Sequence, residues 1–297
     1  MDSKFKNKIR EQFGRTAVAY VEATHFSGGE DLEEAVRLLK PSHDDNMLDV
    51  ACGGGHMALF FAPLVRQVVA SDLTMQMLKK AQEHIAEEGR VDNVVFREAD
   101  AEDLPFPAGS FTLLTCRIAP HHFADVPQAL REFHRVLRRG GRMAIIDTLM
   151  PSDPEIADFF QTMEKMRNPT HIKAFTEDEW RAMIQDSEFI LQETLVISKN
   201  HDFQEWTKTA GLNRNKVQEL NKFFMDAPQK IHDYFKIESF AGEVESYTDK
   251  KLLIYAKRKE KEKHVHQKAV TEVPTEVPTE VPTEVPTEGP TETPEET

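Results

Sequence analysis

Short apolar runs alternate with segments of helical periodicity in the first half of the chain. The apolar runs are continuous and rich in branched side chains, which predicts strands buried on both faces of a parallel sheet. Five such runs occur, at residues 47–51, 67–72, 93–97, 111–116 and 142–147. The segments with helical periodicity are 56–64, 75–88 and 126–138. Thr74 is expected to cap the second helix, and Gly89 and Gly140 are expected to mark helix ends.

The second half of the chain continues this alternation. Thr176 and Glu179 form a capping-box pattern, which predicts that a helix begins there. Residues 189–198 and 251–257 are predicted strands, with a largely helical insertion at 202–234 between them. Strands that alternate with helices predict an α/β fold with a doubly wound, mostly parallel seven-stranded sheet.

The C-terminal part of the chain differs in composition. From residue 271 the sequence repeats the unit TEVP and its variants, and a proline at every fourth position excludes a regular helix. We therefore predict a folded domain at 1–257, a charged linker at 258–270 and a disordered repeat tail at 271–297.

The charge balance bears on the kind of partner. The net charge is −14, and eight acidic residues lie in the repeat tail, which leaves −6 for the rest of the chain. A mildly acidic body lacks the excess of Lys and Arg that neutralises phosphates in nucleic-acid complexes. The expected partner is therefore a small molecule, and no nucleic acid is expected.

The cysteine content and the apolar runs indicate a compartment. Cys52 and Cys116 are too few for a disulfide framework and lack C-x-x-C spacing, so a reducing cytoplasm is expected. The N-terminal segment has no apolar core typical of a signal peptide, and no apolar run approaches the roughly 20 residues of a membrane span. Stable membrane insertion is therefore not expected. Apart from the adjacent pair His121 and His122, the histidines lack the spacing of helix-borne zinc ligands, so no metal is expected either.

A glycine-rich turn, DVACGGGHMAL, follows the first predicted strand. Gly53, Gly55 and Ala58 fit the loose dinucleotide pattern, with an acidic Asp72 further on. Asp49 is not part of that pattern and places a carboxylate beside the loop, which is unfavourable for a pyrophosphate and suits a ligand that carries an ammonium group. S-adenosylmethionine is such a ligand and is the predicted cofactor. A nicotinamide-dependent oxidoreductase is the alternative.

Acidic side chains also follow the next two strands. Asp72 ends the second strand, where a carboxylate can accept both hydroxyls of a ribose, and a capping role for the following helix is the alternative. Asp100 follows the third strand, where an acid can accept a hydrogen bond from an adenine amino group. In a doubly wound sheet, ligands bind beyond the carboxyl ends of the strands, which places these groups on the same side.

Taken together, four segments resemble class I S-adenosylmethionine-dependent methyltransferases, especially the branch with the ubiquinone/menaquinone C-methyltransferases and related small-molecule methyltransferases. The segments are DVACGGG, the acid at Asp72, DAEDLPFPAGSFTLLTC and ALREFHRVLRRGGRMAIID. The likeness is strong over about residues 10–150, the cofactor half, and extends in outline over 151–257, the acceptor half. Ala51 is a departure, because the family usually has glycine there. Binding is expected to survive unless that position needs a positive φ.

The resemblance implies how the cofactor lies in the site. Gly53 and Gly55, after Ala51, let its methionine part lie against the loop, with Asp49 near its amino group. Asp72 takes the ribose hydroxyls. The other implied contacts are Leu73 beside the adenine, Asp100 and Ala101 at the adenine edge, Arg117 and Ile118 along the methionine part, and Phe13 and Tyr20 on an N-terminal helix that closes the site.

Two histidines follow the fourth strand, in the sequence RIAPHHF. The [N/D]-P-P-[Y/F] run of relatives that methylate adenine bases or glutamine amides is absent, which also favours a small-molecule acceptor. His122 is the preferred general base and His121 the second choice, because a histidine titrates near neutral pH. Purely structural roles for both stay open. Asp147, at the end of the fifth strand, is a candidate to orient the acceptor or the base.

The acceptor is expected to be small and apolar or aromatic. Residues 150–176 and 202–235, where this fold builds its acceptor pocket, supply many Phe, Met and Trp side chains, although the same side chains also suit an apolar core. The alternatives are C-methylation of a quinone precursor and, in a different class, a protein that binds S-adenosylmethionine without turning it over. The sequence does not predict an oligomeric state.

Overall fold

The computed structural model of the chain describes residues 3–22, 28–88 and 91–260. Ten helices occur in these ranges: α1 (Ser3–Glu22), α2 (Glu30–Leu39), α3 (His56–Phe61), α4 (Met75–Glu88), α5 (Val126–Val136), α6 (Pro154–Arg167), α7 (Glu177–Asp186), α8 (Phe203–Thr209), α9 (Arg214–Met225) and α10 (Gln229–Phe235). Short 3-10 turns follow α3 and precede α5. The predicted repeat tail, most of the predicted linker and the predicted helix end at Gly89 lie outside the described residues.

The strands of the described ranges form one mixed sheet. They are β1 (Asn46–Val50), β2 (Gln67–Asp72), β3 (Val94–Glu98), β4 (Phe111–Arg117), β5 (Leu137–Thr148), β6 (Phe189–Asp202), β7 (Glu238–Phe240) and β8 (Glu243–Arg258). Their order is β3-β2-β1-β4-β5-β8-β6, and β7 pairs with β8. Strands β1 to β5 pair in parallel, whereas β8 runs antiparallel to its neighbours. The predicted doubly wound α/β fold is confirmed, and β7 is a short strand that the sequence pattern did not indicate.

Helices cover both faces of the sheet. On one face Leu32 of α2, Phe61 of α3 and Ile85 of α4 belong to one apolar core. On the other face Phe133 of α5 and Trp180 of α7 belong to a second core. Because the central strands are buried on both faces, their sequences are apolar without alternation, which is the pattern that revealed them.

A third apolar core joins α6, the helical insertion α8–α10 and the first part of β8. The aromatic and methionine side chains of the acceptor half lie here, most of them buried: Phe159, Phe160, Met163, Phe203, Trp206, Phe224 and Phe235, with Met166, Phe223 and Met225 packed against them. In this region the apolar side chains pack against one another as a core.

The order of the strands reverses between β1 and β4. From β1 the chain continues to β2 and β3 on one side, and from β4 it continues to β5 on the other. Because the two connections leave in opposite directions, a crevice opens beyond the carboxyl ends of β1 and β4. The turn after β1 contains the glycine-rich loop, and the turn after β4 contains the histidine pair.

Two boundaries differ from the sequence pattern. The predicted helix at 126–138 ends at Val136, and Gly140 lies inside β5 with a φ of 70°. The prediction of Gly140 as a helix end is therefore wrong. The pairing register of β5 with β4 shifts in this part, and a glycine with positive φ also serves such irregularities in a strand.

Two findings bear on the environment of the protein. Cys52 and Cys116 are both free thiols. Within the described ranges, none of the helices has the length and apolar character required to cross a bilayer.

Candidate functional site

A cavity of about 130 Å³ opens at the crevice between β1 and β4. Every residue predicted to contact the cofactor lines it, with the exception of Gly55. These residues are Tyr20, Asp49, Ala51, Gly53, Asp72, Leu73, Asp100, Ala101, Arg117 and Ile118. The predicted base His122 lines the same cavity.

The glycines of the loop have different roles. Gly53 has a φ of 54°, and a Cβ there would meet no atom within 4 Å, so this position faces open space in the cavity. Gly55 has a φ of 81° and is the N-cap of α3, where a Cβ would lie 3.0 Å from Ile85 Cδ1. Gly55 thus permits close packing of the loop on α4, and its predicted position at the cofactor is not supported by the geometry.

Ala51 adopts the left-handed conformation, with a φ of 54°. A non-glycine residue in this region costs roughly 1–2 kcal/mol, because Cβ approaches the following carbonyl oxygen. The position therefore has the positive φ that would favour the glycine usual in related sequences. Ala51 stores backbone strain directly beside the cavity.

Asp49 is buried at the end of β1, with a relative exposure of 1%. The Thr115 hydroxyl donates to its Oδ1 at 2.8 Å, whereas Oδ2 has no hydrogen-bond partner among the described residues. Burial raises the pKa of Asp49 to about 7, although the Thr115 bond and the positive charge of Arg117 act in the opposite direction. A buried carboxylate oxygen without a partner on the wall of a cavity is a site for a cationic hydrogen-bond donor.

Asp72 joins the glycine-rich loop to α4. The backbone N–H of Gly53 donates to its Oδ2 at 3.1 Å, and the N–H of Thr74 donates to its Oδ1 at 2.9 Å. Burial raises the pKa of Asp72 to about 6, and these N–H groups offset part of that effect. Each carboxylate oxygen keeps a further lone pair, so the capping contacts and a role as acceptor for ribose hydroxyls are compatible.

The far end of the cavity is acidic and is neutralised by the N-terminal helix. Lys6 of α1 forms ion pairs with Asp100 and, at 2.8 Å, with Glu102. The backbone N–H of Glu102 also donates to Asp100 Oδ1 at 3.0 Å. Glu102 lines the cavity as well and accepts hydrogen bonds from the loop before α5. Lys6 was not predicted, since nothing in the local sequence relates it to a strand end about 90 residues away.

Helix α1 covers one side of the cavity. Ile9, Phe13 and Tyr20 all line it, and the Phe13 ring contacts the rings of Tyr20 and His122 edge-to-face at centroid distances of 5.4 and 5.0 Å. At the other side of the helix, the Gln12 amide donates to the carbonyl oxygen of Ala210, which ties α1 to the helical insertion. These contacts hold α1 in place as one wall of the cavity.

The histidine pair follows β4, and Nδ1 of each ring is a donor. His121 Nδ1 lies 2.6 Å from Asp147 Oδ1, and its backbone N–H donates to Asp147 Oδ2 at 2.9 Å. His122 Nδ1 donates to the carbonyl oxygen of Thr170 at 3.0 Å. In this tautomer Nε2 of each ring carries the lone pair.

Burial favours the neutral form of the groups in this cluster. It lowers the pKa of His121 to about 3 and that of His122 well below its ordinary value, and it raises the pKa of Asp147 to about 6. The His171 ring lies 5.2 Å from that of His121, so the chain brings together histidines that are far apart in sequence. Asp147 therefore orients the ring of His121. Orienting the base was one of the two roles predicted for Asp147, and orienting the acceptor was the other.

The two histidines do not share a cavity. His122 lines the large cavity, whereas His121 lines a second, smaller one of about 30 Å³ on the other side of the 118–122 segment. The described ranges contain no group of three or more His, Cys, Asp or Glu side chains arranged to hold a metal ion. The absence of a metal stays a prediction.

Known proteins provide independent information. A family profile described as a methyltransferase domain matches residues 48–145. The uncharacterized methyltransferase YcgJ of Bacillus subtilis (strain 168) is 32% identical over 225 residues, which cover 76% of this chain and 88% of YcgJ. Protein BH2331 of Bacillus halodurans C-125 has a crystal structure with a TM-score of 0.73 and 34% identity, and the match covers 78% of this chain and all of that one. A demethylmenaquinone methyltransferase of Bacteroides fragilis (strain ATCC 25285) is 27% identical over 183 residues, 60% of this chain and 75% of the relative.

The fold, the cavity and these similarities agree, and the chain belongs to the class I S-adenosylmethionine-dependent methyltransferases. It is an enzyme, and its cofactor is S-adenosylmethionine. The residues present fit this cofactor, because Asp49, which has one carboxylate oxygen without a hydrogen-bond partner, lines a cavity with open space at Gly53. Of the two interpretations of the glycine-rich loop, the family decides against a nicotinamide cofactor.

The strain at Ala51 predicts a stabilising substitution. Ala51→Gly removes a left-handed penalty of roughly 1–2 kcal/mol and adds an entropic cost of about 0.5–1 kcal/mol. We expect the free energy of unfolding in urea to rise by about 0.5–1 kcal/mol. Ala182→Gly, at an exposed position inside α7, is the matched control and should lower it by about 1 kcal/mol. Destabilisation by Ala51→Gly would show that the position is not strained.

The raised pKa of Asp49 predicts pH-dependent binding. With a pKa of about 7, Asp49 is largely protonated at pH 6 in the free protein and must ionise to pair with an ammonium group. The affinity for S-adenosylmethionine should therefore increase about fivefold from pH 6 to pH 7 and by about twofold more up to pH 8, where Asp49 is almost fully ionised. Calorimetric titration at several pH values measures this.

Asp49→Asn removes the titrating group, so its affinity should be weaker and nearly constant between pH 6 and 7. Asp92→Asn, at an exposed position before β3, is the control and should keep the dependence of the wild type. An unchanged pH profile in Asp49→Asn would contradict the pairing of Asp49 with the ammonium group.

Proposed function

We propose that this methyltransferase acts on a small molecule with apolar or aromatic character. The observation that carries the proposal is the arrangement of the crevice, in which an unpartnered Asp49 oxygen and the His122 ring line the same cavity. The first group suits the amino end of the cofactor, and the second provides a neutral base near an acceptor. Bound S-adenosylmethionine supplies an electrophilic methyl group on a sulfonium, which a nucleophilic acceptor atom can take.

In this proposal, three acidic side chains at the carboxyl ends of β1, β2 and β3 hold the cofactor. Asp49 accepts from the ammonium group and Asp72 accepts from the ribose hydroxyls, with Leu73 beside the adenine. Asp100 and Ala101 face the adenine edge. Since Lys6 pairs with Asp100 and Glu102, α1 neutralises two carboxylates that would otherwise repel each other at this end of the cavity.

The role proposed for the histidines is to take a proton from the acceptor. His122 is the preferred base, because it lines the cofactor cavity and its Nε2 is unprotonated in the neutral ring. His121, oriented by Asp147, is the second candidate. Phe13 and Tyr20 of α1 keep water from the reacting centre by covering the same cavity.

A second candidate acceptor is a quinone precursor. It is favoured by the similarity to relatives that are named as demethylmenaquinone methyltransferase and ubiquinone/menaquinone biosynthesis C-methyltransferase. The segment RIAPHHF at the end of β4 differs from the N-V-T-type run of the C-methyltransferases that the sequence resembles, which places this acceptor second.

The setting proposed for this reaction is the cytoplasm. The two free cysteines support a reducing compartment. The acidic balance of the chain supports a small-molecule acceptor over a nucleic acid.

Calorimetric titration with S-adenosylmethionine, S-adenosylhomocysteine and NADH tests the cofactor assignment. We expect the first two to bind with Kd values in about the micromolar range and NADH not to bind. Asp72→Ala should weaken binding by at least about tenfold, since two charge-assisted hydrogen bonds are lost. Asp72→Asn keeps an acceptor and should weaken it less.

Asp92→Ala is the exposed control and should bind like the wild type. A thermal melt of each variant separates loss of the site from loss of the fold. Binding of NADH alone, or equal affinity in Asp72→Ala and the wild type, would overturn the proposed site.

The proposed base must be neutral at the pH of the reaction. Because burial lowers the pKa of His122 well below its ordinary value, the shift of its ring Cε1–H resonance should stay constant between pH 5 and 8. NMR with the His122→Gln spectrum for assignment measures this. A midpoint within that range in the folded protein would contradict the account of His122 as a ring that burial keeps neutral.

A further inference from the structure

The second cavity is almost entirely lined by polar side chains. It has a volume of about 30 Å³ and lies between the end of β5, the helix α6 and the strands β6 and β8. Its wall contains Ile118, His121, Thr148, Glu164, Arg167, Lys199, His201, Trp206 and Lys251. We call this space the polar cavity. None of the roles considered so far uses its cationic side chains, Arg167, Lys199 and Lys251.

The polar cavity lies at the same edge of the sheet as the cofactor cavity. Thr148, the last residue of β5, pairs with Lys251 of β8, which in turn pairs with Ile197 of β6. Ile118 lines both cavities. His121 lines the polar cavity and His122 the cofactor cavity, and the centroids of their rings lie 4.1 Å apart. A molecule held in the polar cavity would therefore lie next to the cofactor cavity.

Hydrogen bonds hold two of the cations in place. Lys251 has a relative exposure of 4%, and its Nζ donates to Thr148 Oγ1 at 3.0 Å and to Asp249 Oδ2 at 2.7 Å. Arg167 has a relative exposure of 7%, and its Nε donates to the carbonyl oxygen of Trp206 at 3.1 Å. Glu164 Oε2 is 3.8 Å from an Arg167 nitrogen, which is too long for a hydrogen bond.

The charge of the wall is positive. Three cations, Arg167, Lys199 and Lys251, face the cavity with one carboxylate, Glu164, and the Asp249 carboxylate contacts Lys251 from behind. Burial, followed by the charge of Arg117, lowers the pKa of Lys199 to about 8. Cations that are brought together in a poorly solvated space favour an anionic ligand, because the anion offsets both their desolvation and their mutual repulsion.

The volume limits the size of that ligand. One water needs about 10–15 Å³ of such space, so the cavity takes a group of two or three heavy atoms. This is the size of a carboxylate group and smaller than a phosphate. The remainder of a ligand anchored here must extend past Ile118 towards the cofactor cavity.

We propose that the polar cavity binds the carboxylate of the methyl acceptor, so that the acceptor is a small organic acid. This inference rests on the proposed function and names its substrate class. Arg167 and Lys199 donate to the carboxylate, while Lys251 contributes positive charge. The apolar or aromatic part of the acid lies against the 118–122 segment, where the histidine pair is within its reach.

The test uses matched acids and amides as probes. Acetate and acetamide, and benzoate and benzamide, are titrated into the full chain saturated with S-adenosylhomocysteine, and chemical shift changes in protein NMR give each Kd. At least one acid should bind about tenfold or more tightly than its amide, the difference that a charge-assisted hydrogen bond provides.

Lys199→Met removes one cation at a half-buried position and keeps the apolar stem. It should weaken binding of the acid and so reduce its preference over the amide, although Arg167 and Lys251 keep part of that preference. Lys208→Met, an exposed lysine outside both cavities, is the matched control and should leave the preference unchanged. If neither acid binds better than its amide, or if Lys199→Met keeps the full preference, the polar cavity is a structural ion network and the proposal is overturned.

Binding of S-adenosylhomocysteine to each variant is measured first. Normal binding of that compound without preference for an acid refutes only the proposed substrate class. Absence of S-adenosylhomocysteine binding in the wild type refutes the proposed function itself.

Discussion

The reversal of strand order between β1 and β4 is the constraint on which the site depends. The chain must leave these two neighbouring strands in opposite directions, and it does so through left-handed residues, Ala51 after β1 and Ile118 after β4, with φ values of 54° and 52°. Asp49 and Thr115 are direct partners in the register of the two strands, which explains why the Thr115 hydroxyl donates to one Asp49 oxygen, while the other has no partner among the described residues. The cofactor cavity follows from this local geometry.

The apolar sheet explains why charges accumulate at this edge. Helices bury both faces of the central strands, so the carboxyl ends are where polar side chains of the strands can reach a cavity. Burial there raises the pKa values of Asp49, Asp72 and Asp147 and lowers that of Lys199. These groups are destabilised as ions in the free protein, and ligands of the opposite charge relieve that cost. Local instability of the folded protein is thus linked to cofactor binding, and under our proposal also to binding of an acid in the polar cavity.

The sequence predicted features that depend on local patterns, and it did not predict contacts between residues that are far apart along the chain. Asp49, Asp72 and Asp100 each follow an apolar run, so a local pattern and the parallel topology were enough to bring them together. Gly55 fits the same motif but packs against Ile85 of α4, a contact that the motif does not contain. Gly140 shows that a glycine near a helix end has more than one use.

The contacts that the sequence did not predict are those between distant segments. Lys6 reaches Asp100 only because α1 folds back over the sheet. The polar cavity joins α6 to β6 and β8, and the sequence pattern did not indicate that the register places Lys251 beside Thr148. The aromatic side chains of the helical insertion had two interpretations, a pocket or a core, and packing among α6 and α8–α10 decides for the core.

A crystal structure of the protein with S-adenosylhomocysteine tests the central claim most directly. The account predicts that the amino nitrogen of the ligand lies about 3 Å from Asp49 Oδ2, that the ribose hydroxyls lie on Asp72 and that the sulfur faces the side of the cavity with Ile118 and His122. A ligand bound with its amino group away from Asp49, and with that carboxylate oxygen still without a partner, would contradict the account.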